Sequence, residues 1–98
     1  MSTRSEVMKI EGALTFASLP RVLEQTREFA ERPDLPDELV IDLSGVEEVD
    51  SAAVALLLKW RREALRVGKR LKLEHFPDNL ASLAELYGVT EFIQNHAQ

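Results

Sequence analysis

The chain has 98 residues, no cysteine and a formal net charge of −5, with 45% apolar and 30% charged residues. A chain of this length can bury one modest hydrophobic core, so we expect a single domain over residues 1–98, with 1–5 as a disordered tail. The lack of cysteine excludes disulfides, zinc-thiolate sites and thiol nucleophiles, and the acidic balance argues against general binding to nucleic-acid phosphates.

Two short strands joined by a tight turn are predicted at the start of the chain. Apolar residues are spaced among polar ones from Val7 to Phe16, and the pair Glu11-Gly12 lies between them. A glycine-containing pair between two such runs is typical of a hairpin. We therefore expect the fold to open with a β-hairpin.

An amphipathic helix is predicted next. Ser18 precedes Leu19-Pro20, and a capping hydroxyl followed by proline in the first turn marks a helix start. Two prolines in residues 32–37 end the helix near Glu31 and make that segment a surface loop. Its apolar face, at steps of three and four residues, comprises Leu19, Val22, Leu23, Thr26, Phe29 and Ala30.

A buried central strand and a second helix follow. The nearly continuous apolar run from Leu39 to Leu43 is typical of a strand covered on both faces, and it is predicted to end at the turn pair Ser44-Gly45. Asp50 is placed to cap a helix over residues 51–67, which stops at Gly68. The predicted core stripe of this helix comprises Ala53, Leu56, Leu57, Trp60, Ala64 and Val67.

The remaining pattern predicts a strand at residues 71–74, a turn at 77–79 and a short helix from Leu80 to Tyr87. A last apolar patch, Val89, Phe92 and Ile93, is either a short strand or a helical turn. Strands that alternate with helices after an initial hairpin predict an α/β fold, of an α+β-like kind. We expect a mixed four- to five-stranded sheet with about three helices, mainly on one face.

The sequence also bears on where the protein works. The polar segment from Met1 to Lys9 lacks the apolar run of a signal peptide, and no stretch approaches the roughly 20 apolar residues of a membrane span. We therefore expect a cytoplasmic protein that does not insert directly into a membrane. Basic residues cluster between Lys59 and Lys72, and we interpret them as a solvated face, with a docking patch for an acidic partner as the alternative.

Residues that could carry chemistry are few. The four glycines are widely separated, so no phosphate loop or dinucleotide fingerprint is present. His75 and His96 do not stand at ligand spacing from another histidine or a cysteine, and we predict neither a metal site nor a cofactor.

A Ser-His-Asp set is one catalytic arrangement that the residue types allow, and the paired acids Glu47-Glu48 are a second, which we interpret as solvated. Serine is common at turns and helix starts, and His75 precedes the predicted turn at residues 77–79, so we expect no catalytic residues and no enzyme. The residues that such a set would use are Ser44, Ser51, Asp42, Asp50 and His75.

The most distinctive segment runs from the central strand through a short loop to Asp50 and Ser51. Ser51 lies in the first turn of the predicted helix, where unpaired N–H groups and the helix dipole favour a phosphate. Phosphorylation would add about −1.5 to −2 charges beside Glu47, Glu48 and Asp50. From these residues alone, a plain helix cap and a regulatory hydroxyl both stay open.

The same segment resembles the signature of the STAS family (sulfate transporter and anti-sigma factor antagonist domains). In that family a strand reading Asp-Leu-Ser precedes a loop that ends in Asp-Ser or Asp-Thr at a helix start. Residues 42–44, 49–51 and 55–58 fit in order and spacing, and residues 80–89 resemble the family's final helix. The resemblance spans residues 7–93 and implies a STAS fold.

Within the family, the chain is most similar to the free-standing subunit of ABC-type phospholipid transporters that maintain outer-membrane lipid asymmetry. The resemblance implies a non-catalytic protein that binds the transporter's ATPase subunit, within a complex that also holds permease and substrate-binding subunits. It would be cytoplasmic and peripheral to the inner membrane. The expected partner-binding and regulatory residues are Glu47, Glu48, Asp50, Ser51, Ala52 and Leu58, with Leu65 as a second apolar anchor.

The family also suggests alternatives. An anti-sigma factor antagonist would use Ser51 as a phosphoacceptor, and a weaker third hypothesis is nucleotide binding by the domain itself. Ala52-Ala53 stand where the family commonly has Ser-Gly or Gly-Gly. Because two added methyl groups hinder the close approach of a partner's backbone, they favour a contact role for Ser51 over a kinase-substrate role.

Overall fold

The computed structural model describes residues 4–90. Strands and helices alternate along the chain, and the three strands are all parallel, in the order β1-β2-β3. The mixed four- to five-stranded sheet predicted from the sequence is therefore not what residues 4–90 form. The elements are β1 (Ser5–Leu14), α1 (Leu19–Ala30), β2 (Glu38–Val49), α2 (Ser51–Arg66), β3 (Arg70–Glu74) and α3 (Asp78–Leu86).

The predicted opening hairpin was wrong, because residues 5–14 form one strand that pairs with β2 throughout. Gly12 does have a positive φ of 84°, but the residue lies inside the strand and not in a turn. The register with β2 shifts between Lys9 and Glu11 and again between Gly12 and Ala13, as at β-bulges. Ser5, predicted to lie in a disordered tail, begins this strand.

The central strand β2 is longer than the sequence predicts. It does not end at Ser44-Gly45 but continues to Val49, so no loop separates it from the cap of α2. A β-carbon on Gly45 would lie 2.9 Å from Glu11 Cγ and 3.2 Å from the Ile10 carbonyl oxygen. The glycine that suggested a turn therefore serves the close approach of β1 at a bulge.

The two faces of the sheet differ in burial. Met8, Ile41 and Leu73 form one row across the three strands, and they pack in or against the core. In the adjacent row, Val7 and Lys72 on the outer strands are exposed. Within residues 4–90 the helices thus lie mainly on one face, as the sequence predicts.

The helices cover that face unevenly. Five of the six predicted core residues of α2 are buried, but Val67 is 46% exposed, against the prediction. In α1 only Val22 is fully buried, while Leu23 is half-buried and Ala30 is exposed. The second half of α1 therefore does not close fully against the rest of the molecule.

Other predictions concern the ends of the chain. Helix α3 begins at Asp78, where a turn was expected, and buries Leu80 and Ala84. Val89 packs against the core, whereas Phe92, Ile93 and His96 lie outside the described residues. None of the helices in residues 4–90 combines the length and apolar character needed to cross a membrane.

Candidate functional site

The carboxyl ends of β1 and β2 bring two connections together at one edge of the sheet. Because the strands are parallel, residues 15–18 after β1 and Asp50 after β2 leave from the same side. We call this side the carboxyl edge and define it by residues 15–18 and 47–51. It contains most of the residues that the sequence singles out.

Both carboxylate oxygens of Asp50 accept backbone hydrogen bonds at the carboxyl edge. Oδ1 accepts the backbone N–H of Ala52 at 2.8 Å, which confirms the predicted cap of α2. Oδ2 accepts the backbone N–H of Phe16 at 3.2 Å, and the Asp50 N–H donates to the carbonyl of Leu14 at 3.3 Å. The start of α2 and the loop after β1 are therefore held together by one side chain.

The loop of residues 15–18 is closed by Ser18, but not by the helix cap that the sequence predicts. Its side chain makes no cap bond to α1. The hydroxyl instead donates to the Ala13 carbonyl at 2.7 Å and accepts the Thr15 N–H at 2.9 Å. These bonds, together with that from Asp50, fix the backbone of a very short loop.

Phe16 is a surface residue that the sequence analysis missed. It was assigned to a strand, yet it lies in the loop with 67% of its surface exposed. The signal was present in the helix start at Ser18 to Pro20, which leaves residues 15–17 as a connection at the carboxyl end of β1. An exposed aromatic ring on a fixed backbone is typical of a contact residue.

Ser51 is the first residue of α2 and is exposed at this edge, as predicted. Ala52 differs, because its side chain is only 3% exposed. Its methyl group therefore does not belong to the exposed surface of this edge.

Three acidic residues closely precede Ser51 in the chain. Glu47 and Glu48 are exposed at the end of β2, next to the Asp50 cap. The backbone carbonyl of Glu47 accepts the side-chain amide of Asn79 at 3.3 Å, which ties α3 to the same region. Because Asp50 already occupies the Ala52 N–H, a phosphate on Ser51 would stand beside one carboxylate at a helix end that is partly satisfied.

An outward line of side chains extends from Ser51 along α2. Ala55 and Leu58 follow at steps of four and three residues, and Arg62 and Leu65 continue the same spacing, so all five lie on one helix face. Leu65 is 63% exposed, whereas Leu58 is half-buried against the core. Of the two predicted apolar anchors, only Leu65 stands clear of the protein.

Three residues of the hypothetical catalytic set do come together, at the end of β3. Asp42 Oδ1 accepts the Ser44 N–H at 2.9 Å and lies 3.0 Å from Nδ1 of His75, a residue with a φ of 58°. The Ser44 backbone N–H, with smaller contributions from the Ser44 hydroxyl and His75, lowers the pKa of Asp42 to about 2. The carboxylate stands between serine and imidazole, which is not the order that activates a serine.

The other candidates for chemistry are not gathered. Asp50 and Ser51 belong to the carboxyl edge and not to the Asp42 cluster. Across residues 4–90 no group of three or more His, Asp or Glu side chains could hold a metal ion. His96 lies beyond that range.

Comparisons with known proteins connect this geometry to a family. The family model described as Mlab, STAS domain matches residues 1–94. The intermembrane phospholipid transport system binding protein MlaB of Haemophilus influenzae is 30% identical over 86 residues, which cover 86% of this chain and 81% of that protein.

Solved structures agree on the fold. A sulfate transporter family protein from Wolinella succinogenes superimposes with a TM-score of 0.75 at 18% identity, covering 93% of this chain and 72% of that one. The STAS domain of a SulP transporter from Vibrio cholerae gives a TM-score of 0.70 at 15% identity, covering 97% and 72%. At these identities the likeness concerns the fold alone.

Proposed function

Because this chain belongs to the STAS domain family, we propose that it is a non-catalytic accessory subunit of an ABC-type phospholipid transporter. It binds and supports the transporter's MlaF-like ATPase subunit, in a complex with permease and substrate-binding subunits. It works at the cytoplasmic side of the inner membrane and helps to maintain outer-membrane lipid asymmetry. Support for this role comes from the likeness to MlaB of H. influenzae.

The observation that carries the proposal is the pairing of an exposed hydroxyl, Ser51, with an exposed ring, Phe16, across the Asp50 carboxylate. Both groups stand on backbone that is fixed by hydrogen bonds before any partner arrives. A preorganised contact loses less conformational entropy on binding than a mobile one. Aromatic side chains are also among the residues that most often dominate binding energy.

The outward line on α2 extends this surface. Arg62 and Leu65 are exposed at its far end, and Glu47 and Glu48 are exposed at its near end. The surface therefore runs from an acidic edge to a basic helix end that also carries an apolar side chain. Opposite charges at its two ends give a partner a defined orientation.

Replacement of Ser51 by arginine tests the contact. We expect tagged Ser51→Arg protein to lose copurification of the untagged ATPase, because a long cation would stand where the partner packs. Ser5→Arg is the matched control, since Ser5 is exposed at the other end of the ten-residue strand β1, roughly 30 Å away. Equal capture of the ATPase by both variants and the parent would reject this site.

The exposed hydroxyl in the first turn of α2 also supports a second candidate, an anti-sigma factor antagonist-like switch phosphorylated at Ser51. The acidic surroundings oppose it, because phosphate would add negative charge beside Glu47, Glu48 and Asp50. A Ser51 phosphopeptide from cells, with altered partner affinity for Ser51→Asp, would favour the switch over a constitutive contact.

A further inference from the structure

An apolar cleft of about 470 Å³ separates the second halves of α1 and α2. Its floor is the helix-covered face of the sheet, with Met8 and Ile41. Its walls include Leu23 from α1, Trp60 from α2 and Val67 directly after α2. Trp60 lies nine residues after Ser51, about 13 Å along the helix axis. The cleft is therefore separate from the carboxyl edge.

The cleft exists because two amphipathic helices stop short of each other. Leu23 and Val67 are residues that the sequence pattern assigns to the core, yet the first is half-buried and the second is 46% exposed. Apolar side chains that line an open cleft keep a hydrophobic driving force that burial has not satisfied. A ligand with an apolar body would satisfy it.

The charges among the lining residues favour an anion. Three cations, Arg27, Lys59 and Arg66, line the cleft with two carboxylates, Glu31 and Glu63. Arg27 is paired with Glu24 and Glu31 on α1, whereas Lys59 and Arg66 share the one carboxylate of Glu63, so the α2 wall keeps one positive charge in excess. That excess complements a negatively charged head group.

Trp60 marks the wall on the α2 side. Its side chain is nine-tenths buried, and its Nε1–H is buried with no hydrogen-bond partner among residues 4–90. A buried indole usually finds an acceptor, so this wall holds an unsatisfied donor. Trp60 is also the sole tryptophan of the chain, which makes it a spectroscopic probe of the cleft.

We propose that the cleft binds a single aliphatic chain with an anionic head group, of the class of free long-chain fatty acids. Sites for small molecules occupy about 300–1,000 Å³ and are mostly apolar with few polar groups, which describes this cleft. The chain lies on Met8 and Ile41 between the helices, and the carboxylate pairs with Lys59 or Arg66 on the α2 wall. This inference does not depend on the proposed transporter role.

Titration of the protein with oleate below its micellar concentration, followed by Trp60 fluorescence and by equilibrium dialysis, tests the proposal. We expect saturable binding of one oleate per chain with a change in Trp60 emission. Oleyl alcohol has the same chain without the charge and should bind about tenfold more weakly. Equal binding of the alcohol would overturn the anionic assignment, and absence of oleate from the dialysed protein would overturn the site.

A variant with a larger side chain in the cleft tests whether oleate binds there. Ala30 lines the cleft and is exposed, so Ala30→Leu should leave the fold intact and weaken oleate binding about tenfold. Ala55→Leu is the matched control, because Ala55 is exposed on the outward face of α2 and does not line the cleft. Unchanged oleate binding in Ala30→Leu would overturn the proposal.

ATPase binding at the carboxyl edge and oleate binding in the cleft can be tested independently of each other. Ser51→Arg should bind oleate like the parent, because Ser51 lies outside the cleft lining. Ala30→Leu should still capture the ATPase. Loss of oleate binding in Ser51→Arg would contradict the separation of the two surfaces.

Discussion

Asp50 performs two structural tasks that place the exposed groups of the carboxyl edge. One oxygen caps α2 and thereby positions Ser51, and the other holds the Phe16 backbone. Neither task requires the carboxylate itself to contact a partner. Asp50 is therefore better described as the residue that organises the edge, while Ser51 and Phe16 are the groups that we propose for contact.

Substitution of Asp50 should reveal this double role. Asp50→Ala loses the cap, for which the expected loss is about 0.5–2 kcal/mol in the free energy of unfolding. Asp50→Asn keeps a side-chain oxygen that can cap and should lose less. Urea unfolding measures both, with Glu48→Ala as an exposed control expected to stay within about 0.5 kcal/mol. An alanine variant as stable as this control would contradict the role.

Asp42 should make stability depend on acid. The Ser44 N–H, above all, lowers the pKa of Asp42 from its ordinary 3.8 to about 2. A lowered folded-state pKa stabilises the fold above the ordinary pKa, and that stabilisation is lost as the pH falls from about 4 through 2. The difference in urea midpoint between the parent and Asp42→Asn should therefore shrink over this window. A constant difference from pH 7 to pH 2 would contradict the pKa shift.

Local signals predicted some of these residues and not others. The Asp50 cap follows from an aspartate directly before an apolar helical pattern, which needs no long-range information. The loop position of Phe16 was also indicated locally, by the helix start at residues 18–20. The burial of Ala52, in contrast, depends on which way α2 turns against the sheet, which is a tertiary fact that a single residue does not carry.

At the scale of elements, β1 and β2 show why glycine is ambiguous in a sequence. Gly12 and Gly45 were each interpreted as turn residues, yet both lie inside strands at bulges where β1 meets β2. A turn and a bulge can both require the positive φ of glycine or its lack of a side chain. Only the pairing partner distinguishes them, and for β1 that partner is more than 30 residues away along the chain.

The bulge gives a test at Gly45. Gly45→Ala places a methyl group 3.2 Å from the Ile10 carbonyl oxygen, so β1 must move away. We expect a loss of about 1–3 kcal/mol in the free energy of unfolding, the range for overpacking. Thermal or urea unfolding measures it, with Glu47→Ala, exposed in the same strand, as the control. Equal stability of the two variants would mean that the strands do not approach so closely.

At the scale of the whole molecule, residues 4–90 have two separate features on one small core, the carboxyl edge and the cleft between α1 and α2. The alternation of strands and helices predicted the fold class and its one-sided layer of helices, because that alternation is visible in the periodicity. The number of strands was not predictable, since it rested on the pairing of residues 5–14. The cleft was also unpredictable, because helical periodicity shows which face is apolar but not how far apart two helices stand.

The direct succession of β2, Asp50 and α2 leaves no slack between the sheet and the helix. An α-helix turns by about 100° per residue, so one residue inserted before Ser51 would rotate the whole of α2 about its axis relative to β2. Ser51 and Leu65 would then swing away from the outside while Trp60 left the core. We therefore expect this junction to tolerate a change of side chain but not the insertion or deletion of a residue.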